Sequence, residues 1–514
     1  MWGPRQPAWR HLNDTMLFAA RTSEMLKTGI PRADLAFYAW KHPWNARAVY
    51  QGSDLTAAGY TYEYLGPENL SSANISVRDG VLAPDGPAYK AIVLIGQTRI
   101  TPLASAALLQ FARQGLPIFI AGSIPNITIG AVGQDSVAEN MAQLTKGGLQ
   151  NVIVLSGNAF GLDTLQRAGI LPRVSSEALE GAQNASQLFT TWRSEPDRGV
   201  EAAYLLNRGQ TAKFGVSFTV PTNTVPYELD AWTGEQVPIL TYLRTNDGIN
   251  IQVALEKGQS TIIAFIAPEQ MRNSTAAPLY VVGRSPNLSH VRITEKGNIE
   301  AYVEDLEEAS ALLSNNNEAS IPALVLGGGP ATISPVNLGP WALAVEAYAA
   351  PAVLSTNSVS VNRTKITVPT LSKLVPWTQI RGLERVSGVG TYRSIFTMPS
   401  PLGNQTQMGY TLHFTGRVLN SLRVRVNGIL VPAIDPSAPS QGRDITTLVK
   451  ETGENEIVVE TSSTLFNAVK ARMNDLRTVG AGVRVPRYYT QPQWAEFGLV
   501  GEVVIKRWRK VQLN

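Results

Sequence analysis

From about Leu188 onward, apolar residues recur at every second position, and this period makes the pleated strand the building unit of the larger part of the chain. Glu201 to Asn207, Lys213 to Val220, Tyr227 to Trp232, Ile249 to Leu255 and Thr261 to Ile266 alternate in this way between Gly, Asn or Pro turns. Thr391 to Thr397, Gly409 to Phe414, Ser421 to Asn427 and Glu456 to Thr461 repeat the pattern, and Asn427-Gly428 is a strong hairpin signal. The polar stretch around Asn315-Asn316-Asn317 reads as a linker between two all-β regions.

The first third is built differently. Ala33 to Tyr38, Ala91 to Ile95, Pro117 to Ala121 and Val152 to Leu155 are near-continuous apolar runs, the pattern of parallel strands buried on both faces. Between them Leu103 to Arg113 and Ala138 to Leu144 have helical spacing, so the alternation predicts an open, doubly wound sheet. Residues 13 to 28 form a further expected helix, N-capped by Asn13 and ended by Gly29 and Pro31, and it stands oddly ahead of the first strand.

A chain of 514 residues exceeds one core and suits three or four domains, and 44% hydrophobic with 16% charged residues is a folded composition. The absence of cysteine removes disulfides, thiolate nucleophiles and Cys-ligated metal. A net charge of +4 with no long basic run argues against a nucleic-acid partner; the densest run, Lys506-Arg507-Trp508-Arg509-Lys510, is expected to be a solvated end. No stretch approaches the roughly 18 apolar residues of a membrane span, so no membrane partner is expected, and Met1-Trp2-Gly3-Pro4-Arg5 lacks the apolar core of a signal peptide. Yet Asn13, Asn69, Asn74, Asn126, Asn184, Asn273, Asn287, Asn362 and Asn404 all begin glycosylation sequons, about twice the number chance would supply, which points to an extracellular protein.

Catalytic chemistry is thinly provided. A nucleophile in the α/β region would sit on a turn near Gly96 or Gly122, but no Gly-x-Ser-x-Gly elbow occurs, and His11, His42, His290 and His413 are scattered over different expected domains. Their spacing fits no metal site, Gly327-Gly328-Gly329-Pro330 lacks the Lys-Ser/Thr of a phosphate loop, and no cofactor is expected. Glu63 among Tyr60, Tyr62 and Tyr64, and Asp230 beside Trp232, are the carboxylates in aromatic settings that glycoside chemistry would use. Tyr488, Tyr489 and Trp494 lie close together where rings could stack on a sugar. The candidate carbohydrate-binding set is therefore Tyr488, Tyr489, Trp494, Tyr62 and Glu63, with core filling as the competing role.

Several segments, in order, resemble one family. Trp2-Gly3-Pro4-Arg5-Gln6-Pro7-Ala8-Trp9, Ala19-Ala20-Arg21-Thr22 and Leu26-Lys27-Thr28-Gly29-Ile30-Pro31-Arg32-Ala33-Asp34 are similar to the stretch leaving the catalytic barrel in family 106 glycoside hydrolases, the α-L-rhamnosidase-like enzymes, with secreted fungal members nearest. The likeness runs on through Ala57-Ala58-Gly59-Tyr60-Thr61-Tyr62-Glu63-Tyr64-Leu65, Val77-Arg78-Asp79-Gly80-Val81-Leu82 and Asp230-Ala231-Trp232-Thr233-Gly234-Glu235. It ends on Gly390-Thr391-Tyr392-Arg393, Val424-Arg425-Val426-Asn427-Gly428, Asp444-Ile445-Thr446 and Gly453-Glu454-Asn455, signals shared by sugar-binding β-sandwiches at large.

The resemblance implies a multidomain α/β plus all-β protein: a remnant after the barrel (1–30), an amidotransferase/flavodoxin-like parallel sheet (31–180), an antiparallel β-sandwich (185–312), a linker (313–335) and a galactose-binding-like jelly-roll (336–514). The family's catalytic carboxylates belong to a barrel preceding these segments, so no catalytic residue is carried over. The expectation is the accessory, truncated half of a secreted α-L-rhamnosidase-like hydrolase acting on plant carbohydrate. The alternatives are a stand-alone carbohydrate-binding protein and a fragment without activity, the last leaving an exposed apolar patch at Trp2, Trp9 and the free face of the first helix. The oligomeric state stays open.

Overall fold

The computed structural model describes residues 3–41, 49–130, 133–180, 188–268, 279–294, 296–324, 333–351, 361–400, 406–478 and 493–513. The chain folds into two compact units. One comprises 1–22, 230–235 and 279–514, the other 23–229 and 236–278. The first helix, α1 (Leu12–Lys27), contains that division, and none of its described side chains is buried; Met16 and Leu17 are exposed, as is Trp9 before it. It has no cap at Asn13, because the 3-10 turn Pro7–His11 feeds directly into it. Trp2 lies outside the described residues.

In the second unit, five strands form a wholly parallel sheet: β1 (Leu35–Tyr38), β2 (Tyr62–Leu65), β3 (Ala91–Ile95), β4 (Ile118–Ala121) and β5 (Val152–Leu155). Their spatial order is β2-β1-β3-β4-β5, a doubly wound arrangement. Because successive side chains point to opposite faces, the same strands supply two cores. Ala36, Tyr38, Ile92, Leu94, Ile118 and Ile120 pack with α2 (Pro102–Arg113) and α3 (Gln134–Lys146). Leu35, Phe37, Val93, Phe119 and Ala121 pack with Phe160 and with Leu165 of α4 (Leu162–Arg167). Thr101 caps α2 by accepting the Ala104 N–H, and Pro102 takes the first position, where a missing N–H costs nothing.

Besides a short parallel pair, Arg99–Ile100 with Ile127–Thr128, this unit has two larger antiparallel sheets. A four-stranded sheet contains β6 (Val174–Glu180), β8 (Ala212–Phe218) and β9 (Gly248–Leu255); a six-stranded one contains β7 (Val200–Asn207) and β10 (Ser260–Ile266), with Ile30–Arg32 at its edge. The expected strand Tyr227 to Trp232 stops at Leu229, where Asp230 opens a turn by accepting the N–H groups of Trp232 and Thr233.

Two six-stranded antiparallel sheets face each other in the first unit. One has the order β12-β13-β21-β17-β20, and Val336–Asn337 also pairs with β21: β12 (Leu288–Ile293), β13 (Ile299–Val303), β17 (Met408–Phe414), β20 (Arg443–Asp444), β21 (Val503–Gln512). The other contains β14 (Trp341–Ala349), β15 (Asn362–Leu371), β16 (Gly388–Thr397), β18 (Ser421–Val426) and β22 (Glu454–Ser462), with the short strand Ile429–Leu430 after the turn Asn427-Gly428, both of whose residues have positive φ as that turn requires. Leu343, Val345, Tyr392, Val424 and Ile457 from one sheet meet Tyr410, Leu412, Phe414, Val503 and Ile505 from the other.

Three sequence expectations are corrected here. Asn315-Asn316-Asn317 is no linker but the turn of a hairpin between strands Ala309–Leu313 and Glu318–Ile321, with Asn316 in the left-handed region that Asn tolerates. Strands β12 and β13, which fall within the expected middle sandwich, hydrogen-bond instead into the sheet built around β21. Lys506-Arg507-Trp508-Arg509-Lys510 is no solvated end; it lies inside β21, with Arg507, Trp508 and Arg509 buried. Arg509 donates to the carbonyls of Asp305, Pro322 and Glu307, which lets a guanidinium be buried without a carboxylate.

Candidate functional site

Tyr62 and Glu63 are neighbours in β2 and so project to opposite faces of the parallel sheet. Tyr62 joins an aromatic cluster, edge-on to Phe37 at 5.1 Å and to Tyr50 at 6.0 Å, and burial raises its phenol pKa. The Tyr50 hydroxyl donates to Asp54, whose other oxygen accepts the Leu162 N–H at 2.9 Å. Glu63, on the other face, accepts the Tyr89 hydroxyl. The two residues do not converge on one ligand.

The turns that leave β3 and β4 hold Gly96 (φ 60°) and Gly122 (φ 78°). A Cβ on Gly122 would lie 2.1 Å from the Asn158 side-chain oxygen, so that amide occupies the place of an elbow side chain. Next to Gly96, Gln97 accepts the Trp40 N–H and donates to the Ile95 carbonyl.

The histidines are less scattered than their sequence positions imply. His11 Nδ1 lies 2.7 Å from Ser421 Oγ, and its Nε2 lies 3.7 Å from Glu460 Oε2. That trio has the composition of a hydrolase triad but not its function. The imidazole is 2% exposed, the serine oxygen also bonds Ser462, and 3.7 Å is beyond hydrogen-bond reach. It works as a latch, together with Asp14, which accepts two bonds from Arg423 at 2.8 and 2.9 Å, and Arg10, which pairs with Glu346 at 2.5 Å.

His290, at a bulge of β12 and at φ 50°, places its ring 5.0 Å from Trp508 and 5.5 Å from Tyr302. His413 bonds Thr411 and the Ser440 carbonyl. His42 and the run Gly327-Gly328-Gly329-Pro330 lie outside the described residues. Among the described residues no group of three or more His, Asp or Glu could hold a metal ion, and no helix is long and apolar enough to cross a membrane.

Asp230 is structural: Arg443 bonds its second oxygen at 2.8 Å, while Trp232 stacks on Phe18 at 4.4 Å and Arg21 donates to the carbonyls of Ala231 and Trp232. Among the described residues of the first unit, two cavities have a carboxylate in their lining. One of about 500 Å³ has Glu300, which already pairs with Arg292 and Lys510; one of about 150 Å³ has Asp14, bound to Arg423. Neither sets two acids against each other as glycoside hydrolysis requires.

Trp494 is half-buried on the segment following α5 (Phe466–Ala471), and Tyr488 and Tyr489 lie outside the described residues. Asn467, itself buried, fixes the next residue with two bonds, Nδ2 to the Ala495 carbonyl at 2.9 Å and the Ala495 N–H to Oδ1 at 3.0 Å. Two cations flank the indole. Lys470 Nζ is 4.7 Å and the Arg385 guanidinium 5.3 Å from the ring centroid. Sequence reading found the tryptophan but neither cation, since 109 positions separate Trp494 from Arg385 and no local period connects them.

No protein-family model matches the chain, and no curated protein matches it in sequence. Among solved structures, a rhamnosidase from Novosphingobium sp. PP1Y aligns with 98% of this chain at a TM-score of 0.65 and 19% identity. The chain spans 41% of that enzyme's length. An exo-carrageenase from Bacteroides ovatus (TM-score 0.28, 12% identity, 48% of this chain, 31% of that one) and an α-L-fucosidase from Paenibacillus thiaminolyticus (0.30, 11%, 48% and 51%) are much more distant. The first of these establishes a shared fold; the other two scores carry no argument.

Proposed function

We propose that this chain is the accessory, non-catalytic part of a secreted α-L-rhamnosidase-like glycoside hydrolase of the family 106 type, acting on plant carbohydrate beside a catalytic module. The observation that carries the reading is the likeness of nearly the whole chain to under half of a rhamnosidase. On this reading the parallel sheet is an amidotransferase/flavodoxin-like spacer and the paired six-stranded sheets are a galactose-binding-like jelly-roll, with Trp494 as the sugar platform. The ion-paired acids of both cavities and the open apolar side of α1 fit such a role. Purified chain should release no nitrophenol from an aryl α-L-rhamnoside above the buffer rate while binding plant oligosaccharides saturably. Turnover would overturn the non-catalytic assignment, and a chain that bound no oligosaccharide would lose the carbohydrate role with it.

Secretion carries its own expected result. Asn13, Asn69, Asn74, Asn126 and Asn362 are exposed, whereas the Asn287 amide donates to Asp305 Oδ1 at 2.8 Å and to the Glu308 carbonyl. Asn184, Asn273 and Asn404 lie outside the described residues. Passed through a eukaryotic secretory pathway, the chain should carry glycan at Asn74 and Asn126 and none at Asn287, as read by peptide mass mapping after enzymatic deglycosylation in heavy-oxygen water. Empty sites throughout would count against a secreted protein.

A further inference from the structure

We propose that the Trp494 site selects acidic glycans, sugars bearing a ring carboxylate or an ester sulfate, through Arg385 and Lys470; this rests on the carbohydrate-binding reading above. A half-buried indole offers an apolar face to the axial C–H groups of a sugar ring. Here the platform is rigid, because the reciprocal bonds between Asn467 and Ala495 fix the backbone beside it. What distinguishes it from a platform for neutral sugars is charge. The Arg385 and Lys470 cations both lie over the ring, at 5.3 and 4.7 Å.

The acids of the neighbouring segments are engaged elsewhere. Glu384 accepts the Gly382 N–H, Glu496 pairs with Arg417 at 3.7 Å, and Asp475 pairs with Arg472 at 2.5 Å. Glu384 keeps its charge beside Arg385, but the groups that lie over the ring itself are the two cations. Arg385 is exposed, and a water-accessible cation resting on a half-buried ring is held weakly. A charge-assisted bond to a carboxylate or sulfate is stronger, and the guanidinium fork can make two of them at once. An anionic sugar stacked on Trp494 would thus draw Arg385 off the ring and onto its acidic group, while Lys470, which also donates to the Gln493 carbonyl at 2.5 Å, adds charge from α5.

The test titrates the full chain with three oligosaccharides of equal length, a neutral galactan, an oligogalacturonate and a sulfated carrageenan fragment, at low and at 0.5 M sodium chloride. One or both acidic probes should bind about tenfold or more tightly than the neutral one, with salt removing most of the difference. The probe that gains identifies the carboxylate or the sulfate. Arg385→Gln should weaken acidic binding about tenfold and leave the melting temperature unchanged, because the residue is exposed; Lys470→Gln should weaken it less, and Trp494→Ala should abolish it. Equal affinity for neutral and acidic probes would overturn the charge selection and leave the carbohydrate reading standing. No binding of any probe would end both, and acidic binding indifferent to Trp494→Ala and Arg385→Gln would place the anion elsewhere and overturn the assignment.

Discussion

Asp34→Ala should destabilise the unit that holds the parallel sheet by about 3–5 kcal/mol, the cost of leaving two largely desolvated cations without their counter-charge. The Asp34 side chain is 1% exposed. Its Oδ2 accepts the Thr61 N–H at 3.0 Å and the Thr61 hydroxyl at 2.9 Å; its Oδ1 accepts the Arg173 N–H and Nη1, both at 3.0 Å, and Lys90 Nζ lies 3.3 Å away. One carboxylate thus gathers the chain just ahead of β1, β2 and β3 together with the segment that follows α4. Burial lowers the pKa of both Lys90 and Arg173, so the pocket strains against holding these charges even with the acid in place. For a unit of this size roughly 2–4 °C are lost per kcal/mol, so its calorimetric transition should fall by about 10 °C. Asp34→Ala combined with Arg173→Met should lose less than Asp34→Ala alone, because one orphaned cation goes with the acid. A loss under about 1 kcal/mol in the single variant would mean that both cations reach water and that the clamp contributes little.

Elements whose cause is local were legible in the sequence. The apolar runs at Ala91 to Ile95 and Pro117 to Ala121 became parallel strands because a strand buried on both faces has no polar side to show, and Asn427-Gly428 became a hairpin because those residues tolerate positive φ. What failed depends on partners distant in sequence. The basic run at 506–510 looked solvated because the carbonyls that bury Arg509 lie some two hundred residues earlier, and the latch at His11 needs Ser421. Tyr62 and Glu63 are a different kind of miss. The period-2 rule that identified the strands already sends adjacent residues to opposite faces, so their divergence could have been read from the sequence. At the candidate site the tryptophan was legible as an aromatic among other aromatics, while its cations and its anchoring asparagine were assembled only by the fold.

Trp377→Ala should cost the first unit about 3–5 kcal/mol, and part of that loss should be recoverable by a second substitution. Trp377 is 1% exposed, its N–H donates to the Tyr392 hydroxyl at 2.8 Å, and that hydroxyl also accepts the Leu499 N–H at 3.1 Å. The indole fits because two neighbours have no side chain. A Cβ on Gly390 would lie 2.6 Å from Trp377 Cζ2, and one on Gly498, which has φ 105°, would lie 2.6 Å from its Cδ1. Gly390→Ala alone should therefore overpack the core, at about 1–3 kcal/mol. In the Trp377→Ala background the same methyl enters vacated space, so the double variant should be more stable than the sum of the two losses by at least about 1 kcal/mol. Gly498→Ala should show much weaker rescue, because its positive φ penalises any side chain whatever the room around it. Unfolding in denaturant measures all four variants; strict additivity of Trp377→Ala and Gly390→Ala would show that the strand carrying Gly390 shifts to admit the methyl, and that the glycine is not what makes room for the indole.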